Sequence, residues 1–113
     1  MREVNAANLS RLNLAPLERG IEERAVARIA IIVGTPLRDS YCEALGRAYL
    51  RGAESGGHSV TLFVLGEMHF DAILREGYRR EQPLEPDLLS ARAAFDGADH
   101  IVFVFPLWCG DMP

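Results

Sequence analysis

The sequence predicts an α/β fold, a parallel sheet with helices on both of its faces. Three observations carry this. Short apolar runs at residues 28–34, 60–65 and 101–105 have the length and the β-branched and aromatic content of buried strands. Helical segments lie between them, at residues 41–54 and 86–96. Glycine and proline mark the junctions. Strand, helix, strand, helix, strand makes two crossovers, and such crossovers return the chain to one sheet with its strands parallel.

Residues 1–27 are polar and mixed, with weak apolar spacing at Leu9, Leu12, Leu17 and Ile21. They read as an N-terminal extension, either loose or carrying a short helix at residues 16–24, where Pro16 suits a first turn. The domain proper is residues 28–113. Its first strand, Arg28-Ile-Ala-Ile-Ile-Val-Gly34, runs into the loop Thr35-Pro-Leu-Arg-Asp39. The first helix then shows an apolar stripe, Tyr41, Ala44, Leu45, Ala48 and Tyr49, predicted to face inward. Ser40 and Glu43 have capping-box spacing at its start, and Gly56-Gly57 suits its end. The second strand, residues 60–65, leads to a long connection, residues 66–85, with residues 70–74 expected to pack inside it. The second helix turns Leu88, Ala91, Ala94 and Phe95 inward and stops at Gly97. The third strand, Ile101 to Phe105, is predicted to be buried on both faces.

Composition narrows the function. Apolar residues make up 49% and charged residues 25%, the balance of an ordinary globular domain. A net charge of −4 argues against a nucleic-acid partner, and the twelve arginines, with no lysine, are scattered among sixteen acids. No apolar run has membrane-spanning length. The N-terminus lacks an apolar signal core, and its glutamates argue against a transit peptide. Cys42 and Cys109 lie far apart without metal-ligand spacing and read as free thiols of a reducing compartment. The expected location is cytoplasmic.

Ligands of open α/β sheets sit beyond the C-terminal ends of the strands, where the strand order reverses. In the order 2-1-3-4-5 that point lies between strands 1 and 3. The loops that bound it hold Thr35, Pro36, Ser40, Tyr41 and Cys42 on one side, and Pro106, Leu107, Trp108, Cys109 and Gly110 on the other. The first loop offers free N–H groups at a helix start, suited to a phosphate; alternatively, Ser40 simply caps its helix. The second suits a flat aromatic ligand, with N–H groups of Trp108, Cys109 and Gly110 toward its polar edge and Trp108 or Leu107 against its face. Alternatively, Trp108 is a core or interface residue. His58, His69 and His100 form no metal set, and no residue is assigned a catalytic role. Gly-x-Gly-x-x-Gly, Walker A and Gly-x-Ser-x-Gly motifs are all absent.

Several segments together resemble the flavodoxin-like NAD(P)H:quinone oxidoreductase family, including the bacterial modulator-of-drug-activity type. They are Ile31-Ile-Val-Gly-Thr-Pro36, Asp39-Ser40, Tyr78-Arg79, Gln82-Pro-Leu-Glu-Pro-Asp87, Ala98-Asp-His-Ile-Val-Phe-Val-Phe-Pro-Leu-Trp108 and Gly110-Asp-Met-Pro113. The resemblance implies a flavodoxin-like sheet, cut short after its third strand. It implies FAD or FMN held between the two loops, with NAD(P)H as co-substrate. The expected activity passes hydride through the flavin to a small quinone-type acceptor, in a homodimer. The alternatives are a non-catalytic flavin-binding or regulatory module, such as an ancillary subunit of a potassium-efflux system, and a fragment without activity. Two positions depart from the family pattern: Thr35 stands where histidine is usual, and Cys109 where a second aromatic is usual. With the chain ending at residue 113, the third strand is expected to be an open edge through which copies associate.

Overall fold

A computed structural model describes residues 25–113. The helix expected within residues 16–24 lies outside the described residues. Strands β1 (Arg28–Val33), β2 (Ser59–Val64) and β3 (His100–Val104) form one parallel sheet in the order β2-β1-β3. Helix α1 (Tyr41–Ser55) joins β1 to β2, and α2 (Pro86–Asp96) precedes β3. A short 3₁₀ turn, Leu65–Glu67, follows β2.

The helices take opposite faces. In register, Ile31 pairs with Leu62, and Val33 with Val64 and Val104. Alternation along each strand puts the next set, Ile32, Phe63 and Phe103, on the other face. A Cβ on Gly46 of α1 would lie 2.6 Å from Val33 Cγ2 and 3.7 Å from Leu62 Cδ1, so α1 covers the first face. On the second, Phe95 of α2 meets Phe63 edge-on at 6.0 Å and Phe103 at 6.5 Å. Ile31 and Val33 of the central strand are completely buried. Each such side chain contributes about 1.5–3 kcal/mol.

Local chemistry sets the element ends. Ser40 Oγ accepts the Glu43 N–H and caps α1. At the other end, Gly57 takes a left-handed φ of 84°. Its N–H donates to Glu54 O while that of His58 donates to Ala53 O, a Schellman stop. Pro86 opens α2 in its first turn. Arg28 and Asp99 exchange backbone and side-chain hydrogen bonds of 2.8–3.4 Å, pinning the start of β3 to that of β1.

Three expectations are corrected. The stripe Tyr41, Ala44, Leu45, Ala48 and Tyr49 is exposed, and α1 instead buries Glu43 and Gly46. The cause is close packing: only a residue without a Cβ lets the helix backbone come so near Val33, and this fixes the helix's rotation. The third strand is not buried on both faces, for Ile101 and Phe103 are exposed. It is one of the two sheet edges among the described residues, and α2 reaches it through the Phe95 ring. Within residues 70–74, Phe70 and Asp71 are half-buried, but Ala72, Ile73 and Leu74 are exposed. That connection is shaped by polar contacts: the Asp71 N–H donates to Glu85 and the Arg75 N–H to Gln82 Oε1.

Candidate functional site

The loops that follow β1 and β3 leave the sheet side by side. Val33 pairs with Val104, and the Gly34 N–H donates to Val104 O at 2.7 Å, carrying the ladder one step further. A Cβ on Gly34 would stand 3.5 Å from the Phe105 Cβ. Thus the switch point of the sheet is bordered by the two loops of unusual composition.

In the first loop Thr35 is buried, at 3% exposure, and its Oγ1 accepts the Leu37 N–H. Its hydroxyl therefore shapes the loop from within. Pro36 is exposed, while its carbonyl lies so close to Gly66 that a Cβ there would approach it to 2.7 Å. The turn after β2 thus backs the loop. Ser40 is half-buried and caps α1; Tyr41 is exposed and Cys42 half-buried. The N–H groups of Tyr41 and Cys42 have no partner among the described residues, as the first turn of a helix allows.

The capping-box spacing marked Glu43 as a partner of Ser40, but not as the group that holds this loop. Glu43, one helical turn inside α1, is buried at 6% exposure. Its Oε2 accepts the Asp39 N–H at 2.9 Å, and its Oε1 accepts two bonds from Arg47, at 3.0 and 2.8 Å. Arg47 reaches on to Glu67, which also pairs with Arg38. The Arg47 bonds, then the Asp39 N–H, hold the Glu43 carboxyl below its ordinary value. Asp39 itself has a left-handed φ of 54°. The legible signal was the i,i+4 spacing of Glu43 and Arg47.

The second loop is a tight hairpin. The Trp108 N–H donates to Asp111 O, and the Asp111 N–H donates back to Trp108 O. Cys109 and Gly110 between them have φ of 53° and 84°, the mark of a type I′ turn. The Trp108 N–H is therefore taken up inside the hairpin. The Cys109 and Gly110 N–H groups remain without a partner among the described residues. Pro106 is half-buried; Leu107, Trp108, Cys109 and Gly110 are exposed. An exposed indole beside exposed leucine and open N–H groups can take a flat ligand with a polar edge.

The remaining polar candidates have structural partners. His58 Nδ1 accepts the Ala27 N–H, the backbone N–H of His69 donates to Asp87 while its exposed ring lies 3.8 Å from the same carboxylate, and His100 Nε2 lies 3.4 Å from the Tyr49 hydroxyl. Cys42 and Cys109 are both free thiols. Among the described residues no group of three or more His, Cys, Asp or Glu side chains is placed to hold a metal ion, and no helix is long and apolar enough to cross a membrane.

A family model described as a flavodoxin-like fold matches residues 27–113. The chain belongs to that family. No curated protein and no solved structure matches it. The order β2-β1-β3, with helices on opposite faces, is that of the first three strands of a flavodoxin-like sheet. In this flavodoxin-like chain the two expected loops adjoin at the switch point, while Thr35 within the first is turned to internal use.

Proposed function

We propose that the chain binds a flavin, FAD or FMN, between the loop after β1 and the hairpin after β3. In this reading it is an NAD(P)H oxidoreductase with a quinone-type acceptor, working in the cytoplasm. The observation that supports this best is the pairing of β1 with β3, which makes the loops that follow them leave the sheet side by side. The residues suit the group. Trp108 and Leu107 offer apolar surface for a fused ring, and the Cys109 and Gly110 N–H groups suit its carbonyl and nitrogen edge. The Tyr41 and Cys42 N–H groups, with the helix dipole behind them, suit the phosphate side.

A bound flavin would supply reversible hydride acceptance. The chain's own part is to orient the ring on Trp108 and to fix its polar edge with rigid backbone donors. A type I′ turn closed by two hydrogen bonds is suited to that, because its donors are held before the ligand arrives. We also propose self-association through the free edge of β3, which pairs only with β1 among the described residues.

The test is oxidation of NADH or NADPH with a simple benzoquinone, with and without added FAD or FMN. Turnover that depends on both flavin and protein is expected. A rate equal to that of free flavin alone would remove the oxidoreductase reading.

A further inference from the structure

We propose that Glu43 is a positioning residue for the flavin loop, holding the left-handed turn at Asp39 and so setting how the start of α1 is presented to a ligand. The inference rests on the reading of the loop after β1 as a flavin contact. In an ordinary capping box the glutamate of the first helical turn reaches back to the N–H of the cap residue. Here the cap is Ser40, yet Glu43 Oε2 accepts from the residue before it, Asp39. That residue has a φ of 54°, a conformation that favours glycine.

The carboxylate is built in from every side. Its other oxygen takes both bonds from Arg47, and Arg47 leans on Glu67 of the turn after β2. Arg38, in the loop itself, completes the series on Glu67. The Asp39 carboxylate also lies within Coulombic reach of the Arg47 guanidinium. Alternating charges thus tie the loop, the helix and the 3₁₀ turn together, with the buried Glu43 at the centre. The Asp39 N–H is satisfied internally, and the Tyr41 and Cys42 N–H groups are left without a partner among the described residues. Glu43 touches no ligand in this account and acts through the shape of the loop.

The experiment measures FMN and FAD affinity by flavin fluorescence for the unmodified chain, Glu43→Gln, Glu43→Ala and the double variant Glu43→Ala with Asp39→Gly. Glu43→Ala is expected to bind about tenfold more weakly, since nothing then holds the strained turn. Glu43→Gln keeps an acceptor for the Asp39 N–H and is expected to lie closer to the unmodified chain. The double variant should regain most of the loss, because glycine needs no bond to stay left-handed. General destabilisation is told apart by a urea melt of each variant, since a change in loop shape lowers affinity at an unchanged midpoint. Unchanged affinity in Glu43→Ala, or a loss that Asp39→Gly fails to restore, would overturn the proposal. Amide hydrogen exchange on the unmodified chain is read in parallel. Protection at Asp39, with Tyr41 and Cys42 unprotected, is expected even if no flavin binds, which separates this proposal from the flavin reading. Fast exchange at Asp39 would overturn it without any variant having to fold.

Discussion

At Cys109 a side chain sits where the backbone prefers none. The first central position of a type I′ turn favours asparagine, aspartate or glycine, and Cys109 holds a φ of 53° there. Cys109→Asn should therefore stabilise the chain by about 0.5–1 kcal/mol. Urea denaturation would read the gain as a higher midpoint at unchanged slope. This turn was hard to read because Cys-Gly is not a standard hairpin pair; only the glycine signalled it. The Ser40 cap was legible, since serine three residues before glutamate has one common meaning. The destination of the Glu43 carboxylate was not, because it depends on the left-handed backbone at Asp39.

Acid should expose the same residues. The Glu43 carboxyl is held below its ordinary value of 4.5 chiefly by Arg47, and Asp71 and Asp99 below 3.8 by the Ile73 and Arg28 N–H groups, with added bonds from the Arg75 and Arg28 side chains. A depressed folded pKa stabilises above the unfolded value and loses its effect as pH falls through the folded one. The denaturation midpoint is thus expected to be flat from about pH 7 to about pH 5 and to fall below that. Glu43→Gln should shrink the fall; an identical acid profile would show that Glu43 carries none of it.

At the scale of elements, α1 holds two glycines that should respond oppositely to the same change. Gly46→Ala drives a Cβ to 2.6 Å from Cγ2 of Val33, which is fully buried and has no room to give way. A net loss of about 1 kcal/mol is expected, overpacking outweighing the helix-propensity gain. Gly52→Ala meets nothing within 4 Å and should gain about 0.5–1 kcal/mol. Thermal melts of the two variants give the signs directly. The contrast also explains why the bounds of α1 were readable and its rotation was not. Caps and glycines at its ends are local signals. The inward face was set by where a missing side chain lets two backbones meet, and an apolar stripe does not report that.

For the molecule as a whole, the parallel sheet follows from the two crossovers and its strand order from the flavodoxin-like pattern, and so the sheet was legible before its burial was. The three apolar strands looked alike in sequence; only their place in the order β2-β1-β3 makes β1 central and leaves β2 and β3 as the edges. Ile101 is 40% and Phe103 61% exposed on the β3 edge, and no charge, proline or bulge interrupts β3. Free edges of this kind template further pairing. Ile101→Lys should lower self-association in sedimentation velocity while leaving the helical content by circular dichroism unchanged. A monodisperse monomer of the unmodified chain would contradict edge pairing.

The central claim is that a flavin sits between the loop after β1 and the Trp108 hairpin. Trp108 is the single tryptophan of the chain, so its emission reports on that place alone. The most direct measurement is titration of the purified protein with FAD and with FMN, following Trp108 and flavin fluorescence together. The account predicts saturable quenching of both signals with one stoichiometry. Tryptophan emission that stays constant, after inner-filter correction, up to high micromolar flavin would contradict it.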